Sequence, residues 1–300
     1  MKRLSIQLSA VILLLLSFSF NSIGADNYTL EFNLEKGKTY VQNMVSVMNV
    51  KMNVMGQDMD MDINAETSMK YDVEGQNDGI FTLQASFTKI KTKMDSPMAF
   101  TLDSEFPEKS TDTALGETFK SFIGVPVVLQ LSKQGKVVSV EGTEKLTEKI
   151  NAITNAQYRQ MIEQQFSNKM LQGTFQQIAP YFPNKQVAIG DSWDAVLNQH
   201  SNGVDIINKM KFTLKEVKNN VATLDCTGTL STPEGGIVIN MQGMEATASI
   251  NGENAGTILV DMKSGWIIKS EITQKFIQDV EVMGQAMKQN IEVKMTITAE

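Results

Sequence analysis

Residues 39–73 read TYVQNMVSVMNVKMNVMGQDMDMDINAETSMKYDV, two alternating runs hinged at Val54-Met55-Gly56-Gln57-Asp58. In the second run Met59, Met61, Ile63, Ala65, Met69, Tyr71 and Val73 share one face, while Asp58, Asp60, Asp62, Asn64, Glu66, Ser68, Lys70 and Asp72 share the other. A period of two marks a strand with one side in oil and one in water. A two-residue turn at Gly56-Gln57, with Gly supplying positive φ, makes the two runs a β-hairpin. That register sets Val54 opposite Met59, Met52 opposite Met61, Val50 opposite Ile63, Met48 opposite Ala65, Met44 opposite Met69, and Lys51 opposite Asp62. A slip of one residue would put methionines against aspartates, so the pattern specifies which face is buried.

The same device recurs further along the chain. Val282-Met283-Gly284-Gln285 splits a C-terminal run that ends in Ile291, Val293, Met295 and Ile297, and Asn202-Gly203 separates Trp193 to Gln199 from Val204 to Val217. Strands of about 15 residues far exceed the usual 5 or 6, and sheets built from them twist and curl. The predicted fold class is therefore mainly β (α+β), with long antiparallel hairpins forming a curved sheet or half-barrel and a few covering helices.

A weak internal repeat lays Lys70 to Phe87 on Lys211 to Gly228 without gaps, so that Phe81, Leu83 and Ala85 fall on Ala222, Leu224 and Cys226. Upstream, Gly37-Lys38-Thr39-Tyr40 parallels Gly190-Asp191-Ser192-Trp193, and Gly135 parallels Gly265. The expected organisation is a signal peptide over 1–25, an N-terminal β half over 26–142, a helical segment over 143–183 and a C-terminal β half over 184–300, the halves being either separate units or one domain. Within the helical segment Thr143 is the expected N-cap of a helix carrying Leu146, Ile150 and Ile153. A second helical pattern holds Tyr158, Met161, Ile162 and Phe166, and after Gly173, read as a break, a short helix is expected to run to Phe182, stopped by Pro183. Residues 94–116, with Pro97, Pro107 and Gly116 and little periodicity, read as a loop.

Lys2 and Arg3, the apolar run Leu8 to Phe20 and the small residues Gly24 and Ala25 have the layout of a secretory signal peptide cleaved after Ala25. The apolar run is shorter than the about 20 residues a spanning helix needs, so no integral membrane anchor is expected. Asp26 stands where a lipoprotein would carry its lipidated cysteine. The expected destination is thus the periplasm or the exterior, without a lipid anchor. Cys226 is the only cysteine, which excludes an internal disulfide. Without Lys2 and Arg3 the chain holds 25 basic against 34 acidic residues, with no basic block, a composition that argues against nucleic acid as a partner.

The chain has 19 methionines, and Met44, Met48, Met52, Met59, Met61 and Met69 share the apolar face of the first hairpin. Read structurally, that face is core. Read functionally, flexible and polarizable thioethers adapt to acyl chains or other apolar molecules, which makes these six residues the candidate ligand-binding set. Paired thioethers such as Met52 and Met61 also suit Cu(I), a reading with only one His and one Cys to complete it. Asp58, Asp60 and Asp62 imitate the start of a calcium loop, but Ile63 replaces the turn glycine and Met69 the bidentate Glu, so they read as a solvated strand face. His200, opposite Asp205 beside a turn, and Cys226, on an apolar strand face, have no catalytic partner in the sequence. No nucleophile elbow or metal motif is present, and neither an enzyme nor a cofactor is expected.

Phe182-Pro183, Val187-Ala188-Ile189-Gly190-Asp191-Ser192-Trp193, Gly37-x-x-Tyr40 and Gly256 to Trp266 together resemble an exported bacterial β-rich family known only as a domain of unknown function. The resemblance spans nearly the whole chain after the leader and implies shared fold and export, with no catalytic residues to carry across. In overall plan the chain is similar to periplasmic lipid or lipoprotein carriers. The expected function is binding of an apolar, lipid-like small molecule on the Met-lined face; the rival is a structural or protein-interaction module of the envelope, and the distant alternatives are a Cu(I)-binding protein or a hydrolase acting through carboxylates.

Overall fold

The computed structural model describes residues 26–300, apart from 55–56, 97–98, 177–180, 202–203, 235, 242–243 and 283–284. In chain order the strands are β1 (Asn27–Tyr28), β2 (Thr39–Val54), β3 (Gln57–Asn77), β4 (Ile80–Asp95) and β5 (Phe100–Asp103), followed by α1 (Thr113–Lys120), β6 (Val127–Ser132) and β7 (Val137–Glu141). Three helices follow, α2 (Glu144–Asn151), α3 (Ala156–Gln165) and α4 (Asn168–Gln176). The second run of strands is β8 (Val187–Ala188), β9 (Ser192–Ser201), β10 (Val204–Lys218), β11 (Val221–Ser231), β12 (Ile237–Met241), β13 (Met244–Asp261), β14 (Ile267–Val282) and β15 (Gln285–Ala299). Among the described residues, thirteen strands form one antiparallel sheet in the order β7-β6-β4-β3-β2-β15-β14-β13-β11-β10-β9, with β5 on β4 and β12 on β13. Both halves of the chain lie in that sheet, joined where β15 pairs with β2.

The hairpin pattern is realised with one correction. β2 and β3 pair Val54 with Gln57, Met52 with Met59, Val50 with Met61, Met48 with Ile63 and Met44 with Thr67, two residues away from the register expected of a Gly56-Gln57 turn. The connecting pair is Met55-Gly56, which lies outside the described residues. A shift of two keeps every side chain on its face, so hydrophobic alternation does not distinguish the registers. The polar face does. Asn49 Nδ2 donates to Asp62 Oδ1 at 2.7 Å, Asn53 Nδ2 to Asp58 Oδ1 at 2.8 Å, and Thr39 Oγ1 to Asp72 Oδ1 at 2.5 Å. The Val282-Met283-Gly284-Gln285 hairpin has the same register, Val282 pairing with Gln285, whereas the Asn202-Gly203 hairpin keeps the expected pair of His200 with Asp205, next to Ser201 with Val204. The turns Asp78-Gly79 and Asn219-Asn220, between β3 and β4 and between β10 and β11, both lie in the left-handed region that a tight hairpin of this twist requires.

The inward rows converge on one large core in the lower part of the curled sheet. Met69, Tyr71, Leu83, Ala85, Leu129, Leu214, Ala222, Leu224, Cys226 and Ile258 are all buried there. The helices seal this end: Leu146 and Ile150 of α2, Ile162 of α3, and Leu171 and Phe175 of α4 join the same core. Leu30, Phe32 and Leu34 of the segment before β2 complete it. Gly265 is the tight point, since its φ is +72° and a Cβ there would lie 2.2 Å from Glu31 O. Next to it Trp266 packs on Tyr40, Tyr71 and Phe32 with ring centroids 4.6, 5.3 and 6.0 Å away.

Among the described residues the edges of the sheet do not meet by strand pairing; α4 touches both β7 and β9 and bridges them. Gln176 makes the link to β7: its Oε1 accepts from Val137 N at 2.9 Å and its Nε2 donates to Gly135 O at 2.8 Å. Two backbone groups of an edge that would otherwise be open are thereby satisfied. α4 starts earlier than expected, at Asn168, and carries Gly173 as a buried interior residue; Tyr181 and Phe182 are not helical. At α2 the cap position is Thr143, as expected, but its side chain makes no capping bond.

Residues 94–116 are more ordered than a loop. They hold β5, a 3₁₀ turn over Pro107–Lys109 and the start of α1. The organiser is Asp103, 2% exposed, whose Oδ1 accepts from the Glu105 and Phe106 N–H groups at 3.0 Å while Lys91 Nζ lies 3.4 Å from its Oδ2. Asp112 then caps α1 by accepting from Leu115 N.

Candidate functional site: the upper interior of the sheet

Pairing and burial together define the inward rows of the whole sheet. On β2 they run Tyr40, Gln42, Met44, Ser46, Met48, Val50, Met52; on β15, Met287, Gln289, Ile291, Val293, Met295, Ile297. On β14 they run Ser270, Ile272, Gln274, Phe276, Gln278, Val280, and on β13 Ala246, Ala248, Ile250, Gly252, Asn254, Gly256, Ile258. Among the described residues, no inward position of the thirteen-stranded sheet carries Asp, Glu, Lys, Arg or His. The charges stand outside, where Asp58, Asp60, Asp62, Lys275, Glu292 and Lys294 alternate with the interior residues. This is the reverse of a membrane barrel, whose outer surface must present an apolar band to lipid.

The six methionines of the first hairpin divide by depth. Met69 is fully buried in the lower core, where Tyr71 OH donates to its Sδ at 3.2 Å, and Met44 packs against the same core. These two are structural. Met48, Met52 and Met61 instead pack on a separate cluster of Val50, Ile291 and Val293, together with Phe276, and Met59 stands beside them opposite Met52. All four are half-buried. Among the described residues this upper cluster contains only side chains of β2, β3, β14 and β15, and no helix residue packs on it. Phe276 also touches a neighbouring cluster around Leu230, Ala248, Ile250 and Val280, so the two apolar tracts are continuous across the inner face. The thioether pair proposed for Cu(I) is changed by the register: Met52 faces Met59, and Met61 faces Val50.

The interior also holds amides that the sequence reading missed. Asn254 Nδ2 donates to Asn208 Oδ1 at 2.8 Å, both residues being 3% exposed, and Asn254 Oδ1 has no protein partner. Gln42, 1% exposed, has no partner for either side-chain atom, nor has Trp266 Nε1. The available signal was an Asn at an inward position of a strand flanked by Gly252 and Gly256, since glycine in a strand interior marks a close approach.

Other chemistry-bearing side chains are accounted for locally. Cys226 is buried, which with the Asp225 charge pushes its thiol up to about 11. Asp112 accepts from Tyr158 OH and caps α1 at once, and the Tyr158 bond is the first cause of its lowered pKa. Among the described residues no three of His, Cys, Asp and Glu gather as metal ligands. A groove of about 620 Å³ lies on the outer face across β11, β13, β14, β15 and β2, with Asn49, Lys51, Asn251, Lys275, Ile277 and Glu292 in its lining. No helix of the described residues is long and apolar enough to cross a membrane.

Residues 78–267 match the sequence profile of a family of unknown function, DUF6263. The chain belongs to that family. The matched span runs from the β3–β4 turn to Trp266 and Ile267, so it includes the helices and Asn254, while β2 and β3, which carry Met48, Met52, Met59 and Met61, and β15, which carries Ile291 and Val293, lie beyond it. No curated protein matches the chain. Among solved structures it is similar to an outer membrane channel from Pseudomonas putida F1, at 7% identity over 90% of this chain and 97% of that one with a TM-score of 0.25. The translocator domain of the autotransporter NalP from Neisseria meningitidis matches at 5% identity over 90% of each chain, TM-score 0.22. OccK5 (OpdH) from Pseudomonas aeruginosa matches at 6% identity over 89% of this chain and 99% of that one, TM-score 0.22. Likenesses of this size carry no argument about function.

Proposed function

We propose that this family member is exported by its N-terminal leader and holds an apolar, lipid-like ligand against the upper inner face of its curled sheet. The observation that carries the reading is the cluster of Met48, Met52 and Met61 on Val50, Ile291 and Val293, half-buried and without a helix over it. Unbranched thioether side chains repack around chains of different shape at low cost, and the uncharged walls favour burial of a hydrocarbon. The charged outer face keeps such a carrier in water.

Native mass spectrometry and solvent extraction of protein purified from the cell envelope test this. The expected result is a co-purifying apolar molecule, released when the protein is unfolded. A ligand-free protein that also fails to take up an apolar fluorescent dye would sink the reading. The rival, an interaction module working through its exterior, has one observation in its favour, the outer groove with Ile277 exposed between charged neighbours. It predicts a clean protein whose Lys275→Glu variant loses a partner while dye uptake stays absent.

A further inference from the structure

We infer that the ligand is an uncharged amphiphile whose polar end carries a hydroxyl or amide hydrogen, received by Asn254 Oδ1. The inference rests on the apolar-ligand reading and adds the head-group class. Two observations meet in it. The first is the absence of Asp, Glu, Lys, Arg and His from every described inward row, so that a carboxylate, phosphate or ammonium entering the sheet would lose its hydration and find no counter-charge. The second is the buried Asn254–Asn208 pair. One bond joins the two amides, at 2.8 Å, and leaves Asn254 Oδ1 as a desolvated acceptor without a donor. A buried acceptor of this kind is costly unless something donates to it.

The local backbone makes room for this amide. A Cβ on Gly228 would lie 2.7 Å from Asn254 Oδ1 and 2.8 Å from Met210 Sδ, and a Cβ on Gly252 would lie 2.3 Å from Phe276 Cβ. Larger residues at either position would push Asn254 or Phe276 out of place. Asn254 pairs with Gln274, Gln274 with Val293, and Val293 with Met48. Three strand spacings, about 14 Å, therefore separate the orphan acceptor from the methionine cluster along one row of the inner face. An aliphatic chain of roughly a dozen carbons bridges such a span, its head at Asn254 and its tail on Met48, Met52 and Met61.

Competition against an apolar fluorescent probe, with dodecanol, monolauroylglycerol, dodecanoic acid and dodecyltrimethylammonium as competitors, tests the assignment on the full mature chain. Dodecanol and monolauroylglycerol are expected to bind at least tenfold more tightly than either charged amphiphile at pH 7.5. Dodecanoic acid should weaken about tenfold for each pH unit above its own pKa, because only its neutral form enters. In Asn254→Ala dodecanol and monolauroylglycerol should each bind at least about fivefold more weakly while the apolar probe, which donates nothing to Asn254, still binds. Equal or tighter binding of dodecanoate with no pH dependence overturns the head-group assignment and leaves the apolar site standing. Failure of every amphiphile and of the probe overturns both. If Asn254→Ala fails to fold, the wild-type pH series still decides the exclusion of charge, and competition by dodecane, expected to be at least about fivefold weaker than by dodecanol, decides the acceptor: equal binding overturns it.

Discussion

Gln176 is the residue through which the helical segment grips the edge of the sheet, and its removal should be disproportionately expensive. In Gln176→Leu the side chain stays apolar and of similar size, but Val137 N and Gly135 O lose partners at 2.9 and 2.8 Å in a position where Gln176 is only 7% exposed. Each orphaned buried group costs about 1–3 kcal/mol, so the pair should cost about 2–6 kcal/mol, a large share of the about 5–15 kcal/mol that holds a typical domain together. Urea unfolding followed by tryptophan fluorescence from Trp193 and Trp266 reads this as a lower midpoint at constant slope. Gln176→Glu sharpens the test through its pH dependence. Its carboxylate would face the Gly135 carbonyl, so its folded pKa should rise above the unfolded value of about 4.3. A raised folded pKa gives stability that is fully present below the unfolded pKa and is lost as pH rises through the folded one. The Glu variant should therefore be least stable near neutrality and recover on acidification. Gln176→Leu within 1 kcal/mol of wild type, or a Glu variant with no such recovery, would refute the bridging role of α4.

Four further outcomes follow from the geometry. Gly265→Ala should lower stability by at least about 2 kcal/mol in urea titration, combining a left-handed conformation with a clash against Glu31 O. The triple change Met48→Leu, Met52→Leu, Met61→Leu should keep apolar-probe affinity within about threefold, since volume and polarity are conserved, whereas Met52→Glu should weaken it at least about tenfold. Cys226, with its thiol raised to about 11, should stay unreactive toward a disulfide reagent at pH 8 until urea unfolds the chain; fast native reaction would contradict its burial. At Asp103 burial works to raise the pKa, and the Phe106 and Glu105 N–H groups with Lys91 outweigh it, leaving it below the ordinary value. Its contribution is present above the unfolded pKa of about 3.9 and lost as pH falls through the folded one, so Asp103→Asn should flatten the acid limb of the stability curve.

What the sequence made legible was what period two encodes. The faces of β2, β3, β10, β14 and β15 were all readable, because alternation of oil and water is written one residue at a time. Register was not, because a shift by two leaves the alternation intact and only the Asn49–Asp62, Asn53–Asp58 and Thr39–Asp72 bonds separate the choices. The order in 94–116 was hidden for a similar reason: Asp103 and Asp112 act through backbone N–H groups, which leave no periodic trace. α4 was misplaced because Gly173 reads as a breaker, yet here the helix carries it as a buried interior residue. At the candidate site, the methionine face was visible as a row, but its division into Met69 and Met44, which pack in or against the lower core, and Met48, Met52, Met59 and Met61, which lie above it, depends on where the helices pack. Asn254 was invisible because its significance lies in Asn208, 46 residues away.

The most direct test of an uncharged, methionine-walled binding face is a methyl spectrum of protein labelled at methionine, titrated with monolauroylglycerol. Saturable shifts are expected at the methyls of Met48, Met52, Met59 and Met61, while the methyl of Met69, sealed in the lower core, stays in place. Shifts confined to Met69 or scattered over surface methionines, or a spectrum that ignores the lipid altogether, would contradict it.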